Sequence, residues 1–335
     1  MRQKRLYIFI ILLAFGVSSF GQQEPQFTQY MYTILPINPG YAGNAGICAS
    51  LHYRQQWAGF ADIHHETGEK QKTSPRNILV SIHSPVKARH GVGLTIYNDA
   101  IGFQNDIAVK LAYAYRLNIK GGSLGLGLSG DFLSRTIQKD KFVPGQSGDM
   151  VLIGSMGESD MHIDASFGAF YQMQDKWYAG ASATRLISAI GGDKDLQKGA
   201  RHFYFLGGYT FELPSNPDWA LKPSALIKTD LTGVQVDATL IASYTEMIWF
   251  GVSYRMIDAA AVLVGVKPFI NSGSAMRGLE IVGSYDITTS KIINHGRSYG
   301  GYEFCIKYCF NIVTKPTIYG YKGTRLLGNR PIEYR

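Results

Sequence analysis

The sequence lacks a second long apolar run: beyond its N-terminal residues, no segment approaches the ~20 apolar residues of a membrane-spanning helix. Charged residues make up only 17% of the chain, and no later Lys/Arg cluster with interleaved aromatics accompanies the formal charge of +8. Three cysteines are too few for a disulfide scaffold, and their spacing matches no zinc motif. These absences argue against a multi-span helical membrane protein, a nucleic-acid-binding protein and a small disulfide-stabilised domain.

The N-terminus has the pattern of a secretory signal peptide over residues 1–21. Three basic residues lie within the first five positions, an apolar run covers residues 6–17, and Ser19 and Gly21 place small residues where a signal peptidase reads them. A transmembrane anchor is the alternative, but the apolar run is shorter than a spanning helix requires. The pattern therefore predicts export.

Glycine and aromatic residues are abundant, with 38 Gly, 21 Tyr and 17 Phe. An exported chain of this composition without helical spans is typical of a transmembrane β-barrel, whose alternating strands give only a mild hydropathy signal. A soluble β-sandwich with the same alternation is the alternative.

Apolar residues recur at every second position from residue 47 onward. The clearest run covers residues 106–117, where the apolar face consists of Ile107, Val109, Leu111, Tyr113, Tyr115 and Leu117. A helix would instead repeat at three and four residues, so the pattern predicts strands. The predicted strands cover residues 47–58, 76–84, 90–98, 103–117, 123–138, 160–173, 177–187, 201–213, 218–230, 234–245, 248–257, 259–268, 277–287 and 300–311.

We therefore predict an all-β fold, an antiparallel transmembrane outer-membrane β-barrel of about 14 strands. The longest connections then all fall on one side, as expected for external loops opposite short periplasmic turns. The predicted organisation is a signal peptide (1–21), an N-terminal periplasmic lead or partial plug (22–46), the barrel (47–311) and a periplasmic tail (312–335). The basic tail is interpreted either as a disordered end or as a docking segment.

Three motifs near the N-terminus carry a family resemblance. They are Pro-Gln-Phe-Thr-Gln-Tyr at residues 25–30, Asn-Pro-Gly-Tyr-Ala-Gly at residues 38–43, and Tyr-Arg-Gln-Gln-Trp at residues 53–57. Together they resemble the N-terminal signature of the PorP/SprF family of type IX secretion system membrane proteins. The candidate interaction residues carried by these motifs are Gln26, Tyr30, Asn38, Pro39, Tyr41, Gly43, Tyr53, Arg54 and Trp57.

The resemblance implies an outer-membrane barrel of Bacteroidetes-type bacteria that works with the type IX machinery and, in some members, with gliding motility. It implies outer-membrane lipid, a secreted surface protein or adhesin, and periplasmic secretion components as partners. The predicted function is non-enzymatic assistance in export or surface anchoring. A diffusion channel or porin-like transporter is the alternative.

No catalytic, cofactor or metal site is predicted. His64, His65 and Glu66 are adjacent on a predicted loop. Adjacent histidines on a loop do not usually form a closed metal site, and no further ligand is evident, so a solvated loop is favoured. The Gly-x-Ser-x-Gly pattern occurs at residues 121–125 and 296–300, but each run leads into a predicted strand and not into the helix that follows a hydrolase nucleophile, so a hydrolase is not favoured. The glycine-rich run at residues 121–130 alternates at period two and is interpreted as a strand whose glycines leave room in the lumen or permit curvature.

Charged residues of both signs fall on the predicted lumen face, and they fit either an internal ion-pair network or a wet channel. The set comprises Arg54, Lys110, Arg116, Lys228, Arg255, Lys267 and Lys307 with Asp106, Asp230, Asp237, Glu280 and Glu303.

Two cysteines permit a specific hypothesis. Cys48 begins the first predicted strand and Cys309 ends the last, so a closed barrel would bring them together at the periplasmic rim. Either a disulfide joins them across the seam, or all three cysteines are unpaired. Cys305 lies too far along the same strand to bond Cys309.

Overall fold

The computed structural model describes residues 24–44, 46–63, 70–138, 158–173, 176–187, 200–256, 258–290 and 298–310. The predicted signal peptide, the pair His64 and His65 with Glu66, and the C-terminal tail lie outside this described part. No helix within the described ranges is long and apolar enough to cross a membrane.

Fourteen antiparallel strands form one closed barrel, which confirms the predicted fold. They are β1 (Ile47–Gln55), β2 (Arg76–Lys87), β3 (His90–Ile101), β4 (Gln104–Ile119), β5 (Gly122–Ile137), β6 (Glu158–Met173), β7 (Trp177–Thr184), β8 (His202–Tyr209, continued by Phe211–Leu213), β9 (Asn216–Thr229), β10 (Val234–Tyr244), β11 (Ile248–Arg255), β12 (Ala259–Val266), β13 (Leu279–Thr288) and β14 (Gly301–Phe310). The first strand ends before the predicted residue 58, because Trp57 has a φ of 49° and leaves the extended conformation.

The barrel closes between its first and last strands. β1 pairs with β14 from Ile47 opposite Phe310 to Gln55 opposite Tyr302. Each remaining strand pairs with its neighbours in sequence, and both parts of β8 pair with β9. Closure leaves no edge strand with unpaired backbone groups, as a barrel in a bilayer requires.

Side chains alternate between the two faces of the wall. In β4, Ile107 and Leu111 point outward and are 48% and 54% exposed, whereas Lys110 points inward and is 8% exposed. The outward face is apolar along most strands, and buried polar and charged residues line the inside. This pattern is the inverse of a soluble β-sandwich, whose apolar face would be the buried one.

The two ends of the barrel differ in their connections. Residues 56–75, 138–157, 185–201 and 289–300 connect strands at one end, which we call the long-loop end. A small hairpin of Ala61–Ile63 and Lys70–Lys72 belongs to the first of these connections. The opposite, short-turn end has brief turns between most strand pairs, apart from residues 267–278, which include the 3₁₀ turn Ala275–Gly278.

Candidate functional site

The N-terminal lead lies inside the barrel. Three short helical turns shape it, Tyr30–Tyr32, Ile34–Ile37 and Pro39–Tyr41. Its residues contact inward-facing side chains or glycines of nearly every strand of the wall. The lead therefore fills the lumen as a plug.

The lead also runs along the barrel axis. Asn44 bonds Gln172 near the short-turn end, and its other amide atom accepts from Arg116. Glu24 bonds Thr184 and Arg185 at the long-loop end. The lead therefore reaches from the short-turn end of the lumen to the long-loop end.

Residues 24–30, which we call the ionic segment, are held by charged groups near the seam. Arg54 is 1% exposed, and its guanidinium lies 3.1 Å from Asp286 and 3.2 Å from Glu303. The backbone N–H groups of Thr28 and Gln29 donate to the Glu303 carboxylate at 2.6 and 3.0 Å. One buried carboxylate of β14 therefore joins β1 and the lead.

Gln26 and Tyr30 complete the contacts of the ionic segment. The Gln26 carbonyl accepts from the Arg54 guanidinium, and its side chain donates to Gln235 at 2.7 Å. Tyr30 is 2% exposed and its hydroxyl lies 2.8 Å from that of Ser224. Of the predicted residues, Gln26 and Arg54 are thus joined by a hydrogen bond, and Tyr30 makes a separate contact with the wall.

Glu24 occupies the far end of the ionic segment. Its carboxylate accepts from Arg185 at 3.0 Å, from Thr184 at 3.2 Å and from the Tyr204 hydroxyl. Burial raises the pKa of Glu24, but attraction to Lys110 and Arg185 outweighs it, so this pKa lies well below its ordinary value. Glu24 is therefore ionised inside the lumen.

Residues 38–44, which we call the turn segment, are held in a different way. Asn38 is fully buried; its side-chain oxygen accepts from the Gly40 N–H at 3.0 Å, and its amide donates to the Ala169 carbonyl at 3.0 Å. Proline at position 39 starts the short 3₁₀ turn that this cap stabilises. The Asn-Pro-Gly motif thus forms a capped turn against the inner wall.

Glycines of the wall let this turn approach the strand backbones. A Cβ on Gly125 would lie 2.1 Å from the Gly40 oxygen, and a Cβ on Gly127 would lie 2.3 Å from the Pro39 carbonyl carbon. A Cβ on Gly168 would lie 2.1 Å from the Asn38 side-chain oxygen. No side chain fits at these wall positions, and the alternating glycines of β5 leave room for the plug.

Tyr41 and Gly43 continue the same packing. The Tyr41 ring makes edge contacts with His83 and Phe170, at centroid distances of 5.1 and 5.0 Å. Gly43 has a φ of +68°, and a Cβ there would meet the Gly91 Cα at 2.6 Å. Backbone conformation and space both require glycine at position 43.

Apolar residues fill the middle of the lumen. Tyr30 and Ile34 pack on Phe170, Tyr204 and Leu226 of the wall. Two narrow spaces beside the lead have volumes of about 50 and 30 Å³, which hold a few water molecules at most. A wider, open space of about 560 Å³ lies beside Asn44 at the short-turn end.

Several of the charged lumen residues form ion pairs. Lys110 lies 3.7 Å from Asp131, Arg135 lies 2.8 Å from Asp106, and Arg255 lies 3.2 Å from Asp237. Of the two interpretations from the sequence, the described residues form the internal ion-pair network. No group of three or more metal-ligating side chains occurs in the part of the chain that the structure describes.

Two predicted residues lie apart from the plug. Tyr53 is on the outward face, where its ring stacks on that of Tyr302 at 6.1 Å. Trp57 follows β1 at the long-loop end and contacts Phe60, with ring centroids 6.4 Å apart.

Cys48 and Cys309 are joined by a disulfide across the seam, with their Cα atoms 4.1 Å apart. The bond ties β1 to β14 at the short-turn end, opposite the cluster of Arg54 and Glu303. Cys305 is a buried free thiol, 3.6 Å from His52.

Sequence reasoning missed several residues of this site. Asp286 lies on the same face of β13 as Glu280, so the period-two pattern could have identified it. Glu24 lies outside any predicted strand and Arg185 lies near the end of one, and only the path of the lead brings them together.

Comparison with known proteins gives one family. The family model described as type IX secretion system membrane protein PorP/SprF matches residues 19–308. Among curated proteins, no sequence matches the chain.

Solved structures with a similar fold include three bacterial proteins. A Pseudomonas aeruginosa FadL homologue has 13% identity and a TM-score of 0.43, covering 79% of this chain and 90% of its own. The toluene transporter TodX of P. putida has 9% identity and a TM-score of 0.45, with coverages of 82% and 92%. The Acinetobacter baumannii outer membrane protein Omp33 has 7% identity and a TM-score of 0.42, with coverages of 78% and 97%. The fold assignment rests on the strand pairing of this chain itself.

Proposed function

Because this chain belongs to the PorP/SprF family of type IX secretion system membrane proteins, we propose that it assists export or surface anchoring of a secreted protein without conducting it. The chain acts as a plugged outer-membrane barrel, and its long-loop end holds the secreted surface protein or adhesin. The role is one of recognition and involves no catalytic step.

One observation carries this proposal: the lead occupies the lumen from end to end. Glu24 bonds groups at the long-loop end and Asn44 bonds groups near the short-turn end. Two narrow spaces beside its N-terminal part have volumes of about 50 and 30 Å³, and a wider, open space of about 560 Å³ lies beside Asn44 at the short-turn end. An exported protein or a nutrient would have to displace the whole plug to pass, so the lumen favours a holding role over a conduit.

The surroundings of the barrel follow from its two surfaces. The apolar outward face suits outer-membrane lipid, with aromatic residues such as Tyr53 and Tyr302 near the long-loop end as an interfacial girdle. We propose that residues 1–21 direct export and are removed, that the long-loop end faces the cell surface, and that the basic tail docks periplasmic secretion components. In this orientation the disulfide of Cys48 and Cys309 lies at the oxidising periplasmic side.

Affinity purification of the full-length barrel, combined with conductance measurements in planar bilayers, tests the proposal. We expect a large secreted surface protein to co-purify, and we expect the purified barrel to remain closed. Steady open-channel conductance without a co-purifying secreted protein would instead establish the diffusion channel. Loss of heat-modifiable gel migration would contradict both functions, because a folded barrel normally shows it.

A further inference from the structure

We propose that the long-loop end of the lumen contains a carboxylate-binding site, which Glu24 occupies in the free protein and which an acidic side chain of the exported partner enters in its place. The partner's identity as the exported protein rests on the proposed function. The site itself rests on the geometry around Glu24.

The groups around the Glu24 carboxylate donate hydrogen bonds to both of its oxygens. Arg185 and Thr184 reach one carboxylate oxygen at 3.0 and 3.2 Å, and the Tyr204 hydroxyl donates to the other. Thr184 and Tyr204 are 0% and 2% exposed, so the donors are fixed by the wall. Charge-assisted bonds of this kind select a carboxylate over a neutral amide.

The cations of the wall around Glu24 differ in their partners. Lys110 has a carboxylate of the wall, Asp131, at 3.7 Å. Among the described residues, the only carboxylate within ion-pair distance of Arg185 is Glu24, and Lys228 donates to the Glu24 backbone carbonyl at 3.1 Å. When Glu24 leaves, buried positive charge remains without an anion, and a second carboxylate is the chemistry that replaces it.

The position of Glu24 makes exchange feasible. Thr184 is the last residue of β7, and Lys228 lies one residue before the end of β9, so the site is close to the rim. Both narrow spaces beside the lead are lined by Glu24. The turn segment stays fixed among the wall glycines, so the ionic segment can move without the plug leaving the lumen.

Two blocked tripeptides test the site in the full-length barrel in detergent micelles. The probes are acetyl-Gly-Glu-Gly-amide and its glutamine counterpart, titrated by calorimetry or by NMR line broadening. Glu24→Gln removes the competing carboxylate, so this variant should bind the acidic peptide about tenfold or more tightly than the wild type does. It should also prefer the acidic peptide to the glutamine peptide by a similar factor.

A matched pair of second substitutions shows whether the preference arises at this site. Adding Arg185→Gln to Glu24→Gln should abolish the preference for the acidic peptide. Adding Arg135→Gln should preserve it, because Arg135 is a buried cation near the same end whose partner is the wall residue Asp106. Heat-modifiable migration verifies that each variant is folded. If Glu24→Gln does not fold, Glu24→Ala, which also lacks the competing carboxylate, is used and must show the same order of peptides.

Equal affinity for both peptides, no binding to the Glu24 variant, or equal losses with both arginine substitutions would overturn the inference. Co-purification distinguishes this failure from failure of the proposed function. A secreted protein that still co-purifies with the wild-type barrel while the peptides fail would remove only the carboxylate site. Absence of any co-purifying secreted protein would remove the proposed function, while the peptide result would still stand or fall on its own.

Discussion

The ionic segment and the turn segment of the plug are held in the same lumen by different physics. The ionic segment depends on buried charge, with Arg54, Glu303 and Asp286 paired at 3.1 to 3.2 Å. The turn segment depends on close backbone approach, because Gly125, Gly127 and Gly168 leave no room for a Cβ. Charged contacts can be exchanged for equivalent contacts with a partner, whereas steric fit to a rigid wall cannot. The difference suggests a plug that is fixed at its C-terminal end and exchangeable at its N-terminal end.

The largest expected effect comes from a substitution that removes a charged contact of the ionic segment. Arg54→Gln removes the guanidinium that contacts the buried carboxylates of Asp286 and Glu303, and it leaves Asp286 with the longer, 4.0 Å contact to Arg255. We expect the free energy of unfolding to fall by about 3–5 kcal/mol. Urea unfolding in micelles measures it, with the exposed Arg277→Gln as a control that should change little. The lumen should remain closed, because the turn segment is untouched. A loss below about 1 kcal/mol would show that the charge cluster is not what holds this segment.

The next largest effect comes from a substitution in the wall where the turn segment packs. Gly127→Val places a branched side chain where the Pro39 carbonyl lies, so we expect a loss of about 3 kcal/mol and a lumen that conducts ions. Gly130→Val is the matched control on the same strand, since a Cβ there meets nothing within 4 Å. Planar-bilayer conductance separates the two variants. If the lumen of the Gly127→Val variant does not conduct ions, the glycines do not position the plug.

A smaller change weakens the turn without filling the wall. Asn38→Ala removes the cap on Gly40 and the donor to the Ala169 carbonyl, so we expect a loss of about 2 kcal/mol. Limited proteolysis of the lead and urea unfolding should both report it. If the variant unfolds like the wild type, the backbone of the turn is held by the glycines alone.

The smallest expected effect comes from the loss of a single hydroxyl contact of the ionic segment. Tyr30→Phe removes one hydroxyl contact with Ser224 but keeps the ring among its apolar neighbours, and we expect a loss of about 1 kcal/mol. Tyr53→Phe, on the outward face, should change stability by less than about half of that. Equal losses in the two variants would show that Tyr30 contributes mainly through its ring.

Much of the barrel could be predicted because alternate residues of a strand face two different environments, the outside of the wall and the lumen. Leu111 and Lys110 are neighbours in sequence, and the structure places one outside and the other inside. The alternating glycines of β5 could also be interpreted as space in the lumen. What occupies that space could not be predicted, because the contact between Gly127 and Pro39 joins segments with no common periodicity.

The sequence by itself determined the number of strands, the face of each side chain and the side with the long connections, because these follow from local alternation and chain length. It also determined the rigid Asn-Pro-Gly turn, since those residues restrict their own backbone. Only the tertiary structure decided that the lead crosses the whole lumen and that Glu24 lies among Thr184, Arg185 and Tyr204. Those contacts join residues far apart in the chain, so their pairing depends on the closed barrel, which brings the ends of separate strands around one axis.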